Sequence, residues 1–302
     1  MASTPYAISS FLPTRPIKVI LGLMGYHVHI SSDTRRVGLN LGEVWQYRDL
    51  VFLLAKKTFT LTYKQTVLGP AWIIISPLLS SIAYMLVFGV IAGIGTDGVP
   101  QILFYLSSTA IWGLFASSVT NNSSTFLANA YVFGKVYFPR LTVPVSNLLV
   151  ALIRFGIQML VVFALLAYFV AQGMVQPNWA LWLGIPFALL HLCLLGMGIG
   201  IILSSLTTKY RDLQILVSFG MQLWMFVTPV VYPLSQVPDG LLHTLILYNP
   251  VTPPVEWLRY ALLGAGTVDP MTMTTSIVVT IVCAIGGILM FNRVERTFID
   301  TV

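Results

Sequence analysis

The chain has 302 residues, of which 57% are hydrophobic and 9% charged. A soluble globular domain carries about 25% charged residues. The composition therefore excludes a soluble enzyme, a disordered chain and a secreted disulfide scaffold, and leaves an integral membrane protein built of helices rather than barrel strands. The net charge of +6 raises the question of which side of a bilayer the cations occupy; no basic run interleaved with aromatics suggests nucleic acid.

Residues 1–42 read as a cytoplasmic tail, with room for an interfacial segment before residue 40. Residues 17–30 are partly apolar, but Lys18, His27 and His29 interrupt them and no small-residue cleavage site follows, so no signal peptide is expected. Over 43–57, Val44, Tyr47, Val51 and Leu54 share one helical face, while Glu43, Gln46 and Asp49 lie elsewhere. With Trp45 and flanking cations, this predicts an amphipathic helix lying along the cytoplasmic interface. Gly69-Pro70 then breaks the chain.

A span needs about 20 mostly apolar residues. Six stretches qualify: 71–94, 101–120, 142–171, 179–206, 213–232 and 272–291. The third and fourth exceed what a bilayer requires, which predicts tilt or protrusion. Between the fifth and sixth, 233–271 is apolar yet rich in Pro and Gly. Its two short apolar pieces, 240–248 and 254–263, read as re-entrant half-helices in the outer leaflet. Eight lysines and arginines precede residue 70, and Lys135, Arg140, Lys209, Arg211, Arg293 and Arg296 lie in the other loops of the same side. Arg259 faces the opposite side and Arg154 lies within a span. This asymmetry places both termini in the cytoplasm, consistent with six crossings. The expected fold is an all-α integral membrane protein with six transmembrane helices, an interface helix and two outer half-helices.

The spans carry no Asp or Glu apart from Asp212 at a boundary, which argues against a proton or sodium antiporter. Lys135 follows Gly134 but lacks the rest of a phosphate-binding loop, so the chain does not hydrolyse ATP alone. No hydrolase motif appears. Cys193 and Cys283 sit in apolar stretches as small core residues. Arg154 reads either as a phosphate ligand or as a cation that snorkels or pairs with a neighbour's carbonyls. His191 reads as a helix–helix hydrogen bond, and Gly89/Gly93 and Gly196/Gly200 as close-packing pairs. Glu256 and Arg259 can pair across one helical turn, as a structural pin or a gate contact. Aromatics cluster at span ends as a belt, but Trp112 and Phe115 fall mid-span, where a sugar ring would find a sliding surface.

Several motifs are more specific. Tyr63–Trp72 (YKQTVLGPAW) with Ser76-Pro77-Leu78, Phe133–Arg140 (FGKVYFPR), Tyr210-Arg211-Asp212-Leu213, Thr228–Pro233 (TPVVYP) and Tyr248-Asn249-Pro250 with Arg259 follow one another in order. Together they resemble the ABC-2 type permeases that export polysaccharides, over about 43–297. Residues 1–40 lie outside the resemblance. It implies a homodimer bound to two copies of a separate ABC ATPase, with ATP and Mg on that partner and no cofactor in this chain. The cargo implied is an undecaprenyl-pyrophosphate-linked polymer of the O-antigen, teichoic acid or capsule kind, moved outward across the cytoplasmic (inner) membrane.

By the same resemblance, 58–68 is a coupling segment, and the ATPase docks on Arg48, Lys56, Lys57, Tyr63 and Lys64. Lys135, Arg140 and Arg154 are candidates for admitting the lipid pyrophosphate. Tyr84, Phe88, Trp112, Phe115 and Trp224 are candidates for the glycan path, and Tyr248, Glu256, Trp257 and Arg259 for the outer gate. Two alternatives stand beside this: an ABC-2 permease for drugs or lipids without glycan, and a stand-alone membrane transferase, for which Asp239 and His243 are the only pairing available.

Overall fold

A chain segment surrounded by apolar side chains satisfies its backbone most simply as a helix. The computed structural model describes residues 41–298 except 134, 136, 137 and 211, and it is helical, with no strand among the described residues. The expected tail before residue 41, the middle of the Phe133–Arg140 motif and Arg211 lie outside the described residues.

Helix α1 (Leu41–Gln46) meets α2 (Arg48–Tyr63) at Tyr47, whose backbone leaves helical geometry. α2 continues well past residue 57, so 58–63 is helical. Gly69 takes a positive φ of 54°, and Pro70 follows at the first position of a short turn that opens α3 (Trp72–Tyr84). Pro77 lies inside α3; Ser81 Oγ donates to the Pro77 carbonyl (2.7 Å) and contacts Thr109 Oγ1 on the neighbouring helix (3.1 Å). The chain then widens into a π-helical stretch, Met85–Ile91, closed by Ala92 N–H to Val87 O at 2.9 Å.

α4 (Gln101–Ser123) is the hub of the bundle and is buried on most of its circumference. Its many hydroxyls remain compatible with burial because they donate back to their own helix, as Ser118 does to Leu114 O (2.8 Å) and Thr120 to Ala116 O (2.8 Å). A short α5 (Thr125–Phe133) leads to α6 (Thr142–Ala171), whose thirty residues reach about 45 Å. That exceeds the ~30 Å hydrocarbon core. α7 (Ile185–Thr207), entered through the 3-10 turn Trp179–Gly184, packs between α4 and α11 (Pro270–Phe298).

Glycine makes that sandwich possible. A Cβ at Gly196 or Gly200 would lie 2.8 and 2.7 Å from the Cβ atoms of Ser118 and Asn122 on α4. One at Gly198 would lie 2.9 Å from the α11 backbone at Ala284, and Gly287 returns the contact from the other side. The Gly196/Gly200 pair packs as expected. Gly89/Gly93 does not: a Cβ at Gly89 meets only the Gln101 side chain, and Gly93 ends its helix at φ 68° in open space.

α8 (Leu213–Val227) departs from expectation. Its fifteen residues span only about 22 Å, short of the predicted 213–232. Pro229 removes an N–H and pushes Thr228 into extended geometry (φ −108°, ψ 140°). Two short helices follow, α9 (Leu241–Leu247) and α10 (Thr252–Leu263). Among the described residues, five helices are thus long and apolar enough to cross a membrane, with α8 as a shorter sixth. The chain is a multi-pass membrane protein.

Two apolar clusters organise the packing. The larger surrounds α4 from Leu103 to Val119. The smaller joins Phe126, Phe133, Phe138, Val143, Ile201 and Phe291, and Tyr47, Leu50 and Leu54 of α1–α2 rest on it. Val51 and Ala55 are the buried residues of α2.

Candidate functional site

The broken end of α8 poses a hydrogen-bonding problem. Residues 228–233 leave helical geometry next to a buried core, where every free carbonyl needs a donor. Side chains of the α9–α10 turn, of α10 and of the stretch itself supply them. Asn249, in the turn between α9 and α10, donates through Nδ2 to Val227 O (3.1 Å) and Thr228 Oγ1 (2.9 Å). Its Oδ1 accepts from Trp224 Nε1 (3.1 Å) and Val251 N–H (3.2 Å). The whole capacity of one amide is used. Tyr232 donates its hydroxyl to Phe226 O (2.8 Å).

Arg259 of α10 completes the clamp. Its guanidinium donates to the Pro229 carbonyl, to Ser108 Oγ on α4 (3.0 Å) and to Glu256 Oε1 (2.5 Å), and it stacks 4.4 Å from the Phe104 ring. The other Glu256 oxygen accepts Thr267 N–H (3.0 Å). Arg259 is 1% exposed and Glu256 2%, so the pair is desolvated and stands because neighbouring groups engage most of its remaining donors and acceptors, Arg259 Nε alone being left without a partner among the described residues. Two of the quoted motifs, TPVVYP and Tyr248-Asn249-Pro250 with Arg259, therefore meet at one place.

Of the four gate candidates, Glu256 and Arg259 lie inside this clamp. Trp257 packs its ring against Gly184, where a Cβ would lie 2.6 Å away. Only Tyr248 is exposed.

The glycan-path candidates form two contiguous groups. Trp112, Phe115 and Trp224 stack in series at 5.4 Å per step, and Tyr84, Phe88 and Phe226 follow at 6.2 and 6.5 Å. Phe115 is wholly buried and Trp112 nearly so, so these two act as core packing within the chain. A mid-span aromatic is as often a packing residue as a ligand surface, and sequence cannot separate the two. Tyr84 and Phe88 are half-buried, and Phe226 is exposed.

The cationic candidates are not gathered at one point. Arg48, Lys56, Lys57 and Lys64 are exposed along α2 and its end, with Arg48 5.7 Å from the Trp45 ring. Lys135 is exposed over Tyr131 (3.7 Å). Arg140 is buried against the Phe133 ring (5.4 Å). Arg154 lies fourteen residues further, about 20 Å along α6, too far to share one pyrophosphate with Arg140. Its guanidinium reaches α2 instead, 3.4 Å from Thr62 Oγ1 and 5.5 Å from the Tyr63 ring. Tyr63 in turn packs on Phe59 (5.0 Å). Arg154 thus contacts a hydroxyl and an aromatic ring of α2, not the carbonyls of a neighbouring helix.

A second polar belt lies at the other end of α4. Asn147 of α6 donates to Asn121 O and Asn122 Oδ1 (both 3.2 Å), Thr207 of α7 to Ser123 O (2.8 Å), and Phe126 N–H to Ser204 Oγ (3.2 Å). His191 Nε2 contacts Ser276 Oγ at 3.0 Å, joining α7 to α11. Ser108, Asn147 and Ser204 escape sequence reasoning because a hydroxyl or amide in an apolar helix has no periodic signature. Their one signal is being polar within a span. Among the described residues, no group of His, Cys, Asp and Glu could hold a metal.

Residues 49–263 match the family described as ABC-2 type transporter. An O-antigen export system permease protein RfbA of Klebsiella pneumoniae is 29% identical over 264 residues, covering 86% of this chain and 96% of that relative. A second K. pneumoniae protein of the same name is 27% identical over the same coverage. The Myxococcus xanthus protein of that name is 30% identical over 212 residues, 69% of this chain and 78% of its own length.

Proposed function

The chain belongs to the ABC-2 type transporter family, and from that premise we propose that it is the membrane subunit of an ATP-driven exporter of lipid-linked polysaccharide, O-antigen foremost. The observation that carries the reading is the extended match to three chains named as O-antigen export permeases, two of them along 264 residues. The chain itself is a transport subunit; ATP and Mg are bound by a partner ATPase, two copies of which serve a homodimer of this chain.

In this reading α8 and the clamped stretch 228–233 together complete a sixth crossing, both termini are cytoplasmic, and α9–α10 dip into the outer leaflet of the inner membrane. α1–α2 lies along the cytoplasmic interface, where Arg48, Lys56, Lys57 and Lys64 meet the ATPase. ATP closure of the partner pushes α2. Two contacts pass the movement on: the Tyr47–Leu54 face seated on the smaller core cluster, and Arg154 of α6 held against Thr62 and Tyr63. The undecaprenyl pyrophosphate head enters from the inner leaflet past exposed cations such as Lys135. The glycan follows along the half-buried aromatics Tyr84 and Phe88 and the exposed Phe226, which present apolar faces to sugar C–H groups.

Depleting the chain from cells tests the assignment. Lipid-linked polymer should accumulate in the cytoplasmic fraction while surface polymer falls. Persistent surface polymer with no internal accumulation would replace it with a permease for drugs or free lipids.

A further inference from the structure

An open cleft of about 440 Å³ lies where the loop entering α7 meets the end of α10. Its volume is within the range of small-molecule sites, about 300–1,000 Å³. Gln176, Asn178, Trp179 and Tyr260 line it, together with Pro177, Ala180 and Gly264. None of these side chains is charged.

The walls are held in place by backbone contacts. Asn178 N–H and Trp182 Nε1 both donate to Ala261 O (3.1 and 3.0 Å), which ties the α7 entry loop to α10. Gly264, at φ 71°, lets α10 end directly against the Gln176 carbonyl, where a Cβ would collide. Trp179 is 63% exposed, and Trp182 backs its ring at 4.7 Å. The aromatic surface is therefore fixed in orientation with one side open. The side-chain amides of Gln176 and Asn178 and the Tyr260 hydroxyl make no hydrogen bond to any described residue.

We propose that this cleft is a saccharide-binding subsite, in which a sugar ring lies on Trp179 and the Gln176 and Asn178 amides and the Tyr260 hydroxyl bind its hydroxyl groups. The proposal rests on the polysaccharide-export reading and assigns the place where the emerging glycan is first held. An aromatic platform supplies an apolar face for sugar C–H groups, and amides match hydroxyls because they both donate and accept. A phosphate-bearing lipid headgroup is the competing ligand at such a depth. It needs cations, as in basic headgroup pockets, and the lining offers none. An interfacial belt tryptophan explains exposure of one ring, but not two free amides and a phenol converging beside it. The cleft is also linked to the clamp, since α10 carries both Tyr260 and Arg259.

The test uses the full chain in neutral-lipid nanodiscs and saturation-transfer NMR. The probes are oligosaccharide released by mild acid from the source cell's own surface polysaccharide, and sn-glycerol 3-phosphate. The wild type should transfer saturation to the oligosaccharide. Trp179→Ala should weaken binding about tenfold, Gln176→Ala should weaken it less, and Trp179→Phe should retain it. Three results overturn the proposal: no transfer in the wild type, unaltered binding by Trp179→Ala, or binding of glycerol phosphate in place of the oligosaccharide. Failure of the export reading is seen separately, as surface polymer that persists in depleted cells. Loss of surface polymer on depletion combined with unaltered Trp179→Ala binding removes the subsite alone.

Discussion

Arg259 shows what a single buried charge does in this chain. Its partners are one carboxylate, one hydroxyl, one backbone carbonyl and one aromatic face, from α10, α4 and the broken end of α8. Replacing it with Met leaves Glu256 buried and uncompensated and frees the Pro229 carbonyl. Breaking such a pair costs about 3–5 kcal/mol, so Arg259→Met should lower the thermal unfolding midpoint in detergent markedly. Adding Glu256→Gln should return part of the loss, because the orphaned charge disappears; a double variant less stable than the single would contradict this. Asp269 offers a pH-dependent contrast at the surface. Its carboxylate accepts the Thr272 and Met271 N–H groups (3.0 and 3.4 Å) at the start of α11, and the Thr272 bond above all holds its pKa below the ordinary carboxylate value. A depressed folded-state pKa means that the cap is intact at neutral pH and down to about pH 5, and is lost as pH falls through the lowered value. The protection factor of the Thr272 amide, taken relative to its intrinsic exchange rate at each pH, should thus hold steady across that window and fall below it. In Asp269→Asn the acid dependence should vanish.

At the scale of elements, α7 is held by the absence of side chains. Gly200 faces α4 and Gly198 faces the α11 backbone, so a methyl at either meets atoms that cannot rotate away. Gly198→Ala and Gly200→Ala should each destabilise by about 1–3 kcal/mol through overpacking. Gly156 and Gly286 lie in helices with open space at the Cβ position. There alanine should be neutral or stabilising by up to about 1 kcal/mol through helix propensity. Unfolding in mixed detergent, run on all four variants, checks the contrast; equal effects would mean that the helix contacts are misplaced. The same element explains why one glycine pair was legible and another was not. Four-residue spacing marks a possible contact face in both, but only a second helix makes it one, and Gly93 has none. α8 repeats the lesson. Its apolar run continues to Tyr232, yet Pro229 ends the helix, and the stretch beyond is viable because Asn249 and Arg259, far along the chain, satisfy its carbonyls.

For the whole molecule, the central question is how movement at one end reaches the other. The Thr62–Tyr63–Arg154 contact and the polar belt around Asn147 both engage α6, the longest helix. Under the export reading, Arg154→Met should leave basal ATPase activity of the assembled transporter near wild type while reducing its coupling to export. Charge reversal at Arg48 or Lys57 should uncouple ATPase stimulation by substrate from transport. Export assays beside ATPase rates check both, and unchanged export in all three variants would move the docking surface elsewhere. Charge reversal alters an exposed surface and leaves the α2 packing face untouched, so its effect separates docking from folding.

Membership of the membrane class, five of the six expected long apolar helices, and the two short helices after α8 were determined by sequence alone, because bilayer thickness and backbone hydrogen bonding leave few solutions for long apolar runs. The motifs that mark the family were equally visible, being local strings. What each residue touches was decided only by tertiary structure. Phe115 became core, Arg154 turned to α2, Glu256 and Arg259 closed a clamp with Ser108, and four uncharged residues from two elements came together as a cleft. Inside a membrane both lipid and protein are apolar, so hydrophobicity does not tell a helix which of its faces meets a neighbour. That choice rests on small residues, hydroxyls and amides whose partners lie up to 151 positions away, and no local pattern records it.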